Sequence, residues 1–154
     1  MASTVTAATL TVTITESITL NGSDQGATNS FTVASVNEVS KRIVTVPANN
    51  DVTVATFAAA TSSSVQAFDV NDVKYIRVTN LDDTNTINLA LIGASDNAQF
   101  VVQPKQSFIL GKPDDCMLGE ADTTPALSSF EDLASILVDS GANAVDVEVL
   151  IASV

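Results

Sequence analysis

The sequence predicts an all-β protein, a single jelly-roll-like β-sandwich with at most one short helix. Apolar and polar residues alternate with a period of two in one segment after another, as half-buried strands require. Gly, Asn, Asp and Pro interrupt those segments at short intervals, where turns belong. The 154 residues are 45% hydrophobic, enough for one domain that buries about two-thirds of its unfolded surface.

The first strand carries the strongest pattern. Leu10, Val12, Ile14, Ile18 and Leu20 alternate with Thr11, Thr13, Thr15, Ser17 and Thr19, and Glu16 alone breaks the apolar series. No charge precedes Glu16. Residues 1–20 are therefore read as an N-terminal strand or arm and residues 21–154 as the sandwich. Monomers guard such edges with Lys, Pro or bulges, because a bare edge pairs with other chains. The arm is expected to contact another subunit, with Leu10, Val12 and Ile14 as interface candidates.

Residues 21–26 form a turn by composition, and Phe31, Val33, Val36 and Val39 suggest a second strand bulged near Ser35. Residues 43–46 are a short β run closed by Pro47, and residues 48–51 make the next turn. Val52, Val54 and Phe57 start a strand that enters the soft stretch 58–64. Residues 73–80 are a strand with Ile76 and Val78 on one face and Tyr75, Arg77 and Thr79 on the other. After a turn at 81–85, Ile87, Leu89 and Leu91 read as the returning strand of a hairpin. Two short strands, 100–102 and 107–110, flank Pro104 and Lys105.

Ser128 and Glu131 have capping-box spacing, and Leu127, Phe130, Leu133 and Leu137 fit a helical stripe. Ile136 and Val138 before residues 140–143 read equally well as a strand entering a hairpin. One helical turn near 129–134, with β structure after it, is the expectation. Val145, Val147, Val149 and Ile151 then alternate with Asp146, Glu148 and Leu150 as a final strand.

The net charge of −12 argues against nucleic acid or an anionic membrane as a partner. Its layout is uneven: residues 1–40 carry three acids and no base, 41–113 six of each, and 114–154 nine acids and no base. The acidic end is read first as a solvated surface, and second as a face for a basic partner or a divalent cation. No apolar run is long enough for a membrane helix, and the N-terminus lacks the pattern of a secretory signal.

Chemistry is scarce. The chain has no histidine, which removes Ser-His-Asp triads, Cys-His dyads and three-His zinc sites. Cys116 is the single cysteine and is read as a small apolar residue. Asp82, Asp83 and Asn85 are weak candidates for a Ca²⁺ loop, since the spacing of a calcium-binding loop is missing; a structural turn is favoured. Without Trp and with one Tyr, a carbohydrate-cleaving carboxylate pair lacks its aromatic platform. Arg77 is expected to lie near the ring of Tyr75. Lys41 and Arg42 are interface candidates, read as guards of an edge strand or as contacts to an acidic partner. Asn21-Gly22-Ser23 matches a glycosylation sequon, a motif common by chance. No catalytic residue and no cofactor are expected.

Residues 73–89 (VKYIRVTNLDDTNTINL) resemble minor virion proteins of tailed bacteriophages, particularly capsid decoration or cement proteins. The likeness continues through 100–110 (FVVQPKQSFIL) and 145–152 (VDVEVLIA), about half of the chain. It departs from that pattern near Pro104, where no Gly precedes the apolar strand. The resemblance implies a jelly-roll protomer that forms a homotrimer, or a dimer, binds the major capsid protein and locks the shell from the capsid exterior. The arm would then serve subunit or capsid contacts. The alternatives are a tail- or fibre-associated protein or other surface adhesin that binds a host glycan or protein, and a pilin-like subunit exchanging residues 1–20. An enzyme is the least expected class.

Overall fold

The period-two pattern becomes thirteen strands in the computed structural model, which describes residues 4–59, 67–119 and 130–154. They are β1 (Ala8–Glu16), β2 (Thr19–Leu20), β3 (Ser23–Asp24), β4 (Ala27–Val36), β5 (Glu38–Val46), β6 (Asp51–Ala58) and β7 (Phe68–Asp69). There follow β8 (Val73–Asn80), β9 (Ile87–Ile92), β10 (Asn97–Val102), β11 (Ser107–Leu110), β12 (Ser135–Asp139) and β13 (Val145–Ser153).

Eight of these strands make two facing antiparallel sheets, in the orders β10-β9-β12-β6 and β11-β8-β13-β5. The short β7 adds in parallel beside β6. Of the connections among the eight, only β9 to β10 stays within its sheet; every other one crosses the sandwich. That is the strand order of a jelly roll. The core is what the alternation calls for. Val54, Leu89, Ile136 and Val138 point inward from one sheet and Val46, Val78, Val147 and Val149 from the other, all buried.

The crossings correct two expectations. β8 and β9 are not a hairpin: β8 pairs with β11 and β13, whereas β9 pairs with β10 and β12. Both faces of a hairpin and of an arch show the same alternation, so sequence periodicity does not separate them. β12 and β13 are likewise in opposite sheets. Asn80 is the device behind the first arch. Fully buried, its amide donates to Asn85 O (2.8 Å) and Val102 O (3.3 Å), and its oxygen accepts from Asp82 N (3.0 Å). One side chain thus ties the β8–β9 arch to the end of β10.

The remaining crossings at this end are joined to it. Asn80 N donates to Gln106 O, Leu81 N to Asp146 O and Asn49 N to Gly141 O, and Asn143 Nδ2 donates to Asn85 Oδ1. Backbone groups in loops need partners as much as those in strands, and here loops supply them to each other.

The expected helical turn near 129–134 is also corrected. Ser128 and Leu127 lie outside the described residues, and residues 130–134 are extended, with Glu131 in an isolated bridge to Met117. Their N–H groups find partners elsewhere in the chain: Leu133 N donates to Pro113 O and Ala134 N to Ile92 O. Leu133 is buried in the sandwich core, so tertiary burial overrides the helical stripe. No helix occurs among the described residues.

Candidate functional site

Residues 8–36 form one long two-stranded ribbon outside the sandwich. Its register is constant from Leu10↔Val33 through Glu16↔Ala27 to Leu20↔Ser23, about 35 Å of strand. The hinge is Asn21-Gly22, both at positive φ (51° and 79°) as a two-residue type I′ turn demands. The turn expected over 21–26 is therefore tighter than composition indicates. At the other end the register slips between Ala8 and Leu10, opposite Ser35 at φ 61°, a bulge at the expected place. Of the expected arm, residues 8–20 are thus one half of an intrachain hairpin, with β4 as the partner of β1.

The pairing sorts side chains onto two unlike faces. Thr11, Thr13 and Thr15 stand opposite Thr32, Ser30 and Thr28 on one face, where Thr13 Oγ1 and Ser30 Oγ lie 3.0 Å apart. Leu10, Val12, Ile14, Phe31 and Val33 share the other face, and Ile18 and Leu20 continue it in the same register. The base of this apolar face packs on the sandwich. Leu10, Val12 and Val33 join a cluster with Val36, Tyr75, Leu150 and Ala152, and the Phe31 and Tyr75 rings lie 6.1 Å apart. Beyond it the face is bare, with Ile14 43%, Ile18 54% and Leu20 60% exposed.

The surface under the ribbon base is the outer face of the β11-β8-β13-β5 sheet. Register aligns Tyr75, Ala152 and Val39 across it, then Ile109, Arg77, Leu150 and Lys41, then Thr79, Glu148 and Ile43. Its charges are internally matched. Glu148 takes Lys41 Nζ at 3.1 Å and Arg77 Nη2 from the other side. Arg77 is thereby drawn to β13 and not onto Tyr75, whose ring contact is Phe31; the expected stacking pair is replaced by these two contacts. Val39 (61%) and Ile43 (62%) remain exposed on this face.

Lys41 and Arg42 both lie on β5, an edge strand of its sheet. Neighbours along a strand point to opposite faces, so Lys41 is on the outer face while Arg42 turns inward. Arg42 Nη2 donates to Val54 O on β6, linking the two sheets across their open side.

Asp82, Asp83 and Asn85 sit in the β8–β9 arch. Asp82 Oδ1 accepts from Thr84 N (2.7 Å), Asn85 N (2.6 Å) and Asn85 Nδ2 (3.1 Å). The backbone bonds from Asn85 and Thr84 hold its carboxyl below the usual carboxylate range. Asp83 is paired with Lys105 at 2.6 Å. Asp82 and Asn85 are occupied in closing their own loop, and Asp83 ties it to the turn between β10 and β11. Asp114, Asp115 and Asp132 come together with ligand oxygens within 4.8 Å of one another, a meeting that sequence spacing does not disclose. Asp132 Oδ1 accepts from Asp115 N, and Asp114 pairs with Lys112, so this group too stitches segments together. Cys116 is half-buried, and that burial pushes its thiol pKa up.

Ile18, Leu20, Phe31, Val39 and Ile43 were not singled out as interface residues from sequence. Their signal was present in the alternation, but only the pairing of β1 with β4 puts the first three on one face.

No protein-family description matches the chain, and no curated protein matches it. Among solved structures, a chain described with the words "Bacillus endospore appendages form a novel family of disulfide-linked pili" is similar over 75% of this chain and 88% of that one, at 8% identity and a TM-score of 0.38. A likeness of that size carries no functional argument.

Proposed function

We propose that this chain is a structural virion protein that decorates and stabilises a bacteriophage capsid by binding the major capsid protein, acting as a homo-oligomer on the capsid exterior. One observation carries the assembly part of the reading: the ribbon presents Ile14, Ile18, Leu20 and Phe31 on a single face that its own sandwich leaves exposed. Large apolar side chains gathered on one exposed face, here broken by Glu16 alone among charged residues, mark a contact surface for another protein. The resemblance of residues 73–89, 100–110 and 145–152 to decoration proteins supplies the capsid. The −9 balance of residues 114–154 would be costly to bury against a partner, so most of it is expected to face solvent or a basic capsid rim.

The test uses particles depleted of the protein. They should assemble, yet release genome at lower temperature or milder osmotic shock, and added protein should restore resistance. Ile18→Ser with Leu20→Ser should bind particles poorly. If depleted particles are as robust as decorated ones but fail to adsorb to cells, the reading gives way to an adhesin.

A further inference from the structure

The ribbon's apolar face and the outer face of the β11-β8-β13-β5 sheet already recognise each other within one chain. At the ribbon base, Leu10, Val12 and Val33 pack with Tyr75, Leu150 and Ala152. Two parts of the same surfaces stay exposed: Ile14, Ile18 and Leu20 toward the ribbon tip, and Val39 and Ile43 on β5. Because both sets are exposed together, the chain's own tip does not cover its own β5.

We propose that the tip half of one copy's ribbon docks on the outer sheet face of a second copy, burying Ile18 and Leu20 against Val39 and Ile43. The inference rests on the reading of the chain as an assembly subunit and names one of its partners.

Charge selects this arrangement over its closest competitor. Stacking two ribbon tips through their apolar faces would bring Glu16 of one copy, which lies on that face between Ile14 and Ile18, toward Glu16 of the other, with no base anywhere in residues 1–40. Like charges held together at an interface oppose it. The sheet face instead sets Lys41 and Arg77 against Glu148 and Asp146, so it carries no net charge and does not repel the tip's Glu16. In a chain of net charge −12, such a patch is where a second copy can approach with least repulsion. The contact joins unlike surfaces, so copies meet as reciprocal pairs, close into a ring or run on as a chain.

Cysteine pairing distinguishes the possibilities in the full chain. In a Cys116→Ser background, Leu20→Cys and Ile43→Cys are made separately, and each is checked for wild-type circular dichroism and melting. A short bismaleimide should cross-link the two variants when mixed, and neither variant alone. Cross-linking of Leu20→Cys with itself would show tip-to-tip stacking and overturn the proposal. Sedimentation equilibrium gives the second readout. Ile18→Ser with Leu20→Ser should weaken self-association at least about tenfold, the effect of losing roughly 1.4 kcal/mol of apolar burial. A wild-type protein that stays monomeric while still binding particles sinks this inference and leaves the decoration reading standing. One that self-associates as described but never binds particles does the reverse.

Discussion

The rings of Phe31 on β4 and Tyr75 on β8 lie 6.1 Å apart with their planes inclined by 49°, joining the ribbon to the sandwich. Tyr75 is buried, whereas Phe31 is 44% exposed, so the contact sits at the border between the packed base and the bare tip. Position along the ribbon decides which residues hold it and which are free to bind.

A double-mutant cycle with Phe31→Leu and Tyr75→Leu should give a coupling of about 1 kcal/mol, as aromatic pairs do beyond their area. Limited proteolysis of Tyr75→Leu should cut first within residues 8–36 while the sandwich persists. Equal loss of both parts would mean that ribbon and sandwich unfold as one unit.

Asn80→Ala should destabilise the protein by about 2 kcal/mol or more, because Asp82 N, Asn85 O and Val102 O lose their partner together. Urea unfolding with an unchanged slope would measure it. A cost below about 0.5 kcal/mol, the range of ordinary surface changes, would remove Asn80 from its role as the arch tie.

Leu89→Ala, at a position with no exposure in the sandwich core, should cost about 3 kcal/mol through lost transfer energy and a residual cavity. Ile43→Ala on the open sheet face should change stability little in the isolated chain. The contrast between the two separates folding from binding roles.

The depressed Asp82 carboxyl gives a pH dependence with a defined sign. Its folded pKa lies below the unfolded one, so its contribution is complete above the unfolded value and is lost as pH falls through the folded value. Asp82→Ala should lower the melting temperature at neutral pH and make less difference in strong acid. A deficit that persists unchanged at low pH would assign the effect to packing and not to charge.

Cys116 should react slowly with thiol reagents at neutral pH, since burial raises its pKa and keeps the thiol protonated. Ellman's reagent should label the native protein far more slowly than the protein in denaturant.

Much of the fold was legible because alternation survives from Leu10 to Ile151, and the bulge at Ser35 announced itself by a break in that alternation. Connectivity was not legible. Residues 81–85 look like a hairpin turn in sequence, and only the strand partners of β8 and β9 show them to be an arch. The helical turn expected near 129–134 does not form over 130–134, because Leu133 is buried in the sandwich core, which sequence-local spacing does not see, while the β structure expected after it is β12. The candidate surface was half visible: Leu10, Val12 and Ile14 were named, but the first two turn out to anchor the ribbon, leaving the free contacts to residues nearer its tip.

The pairing of β5 with β13 sets the timing of folding. Val46 aligns with Val145, so β5 waits for a partner made about a hundred residues later, and β8 shares that same partner. The ribbon closes through a two-residue turn and needs only its own neighbours, a step of microseconds. During synthesis its greasy side is therefore finished and uncovered long before the sandwich that anchors its base exists. Nascent chains on neighbouring ribosomes would meet through that side first, so fast translation or chaperone cover between residues 36 and 145 should raise the yield.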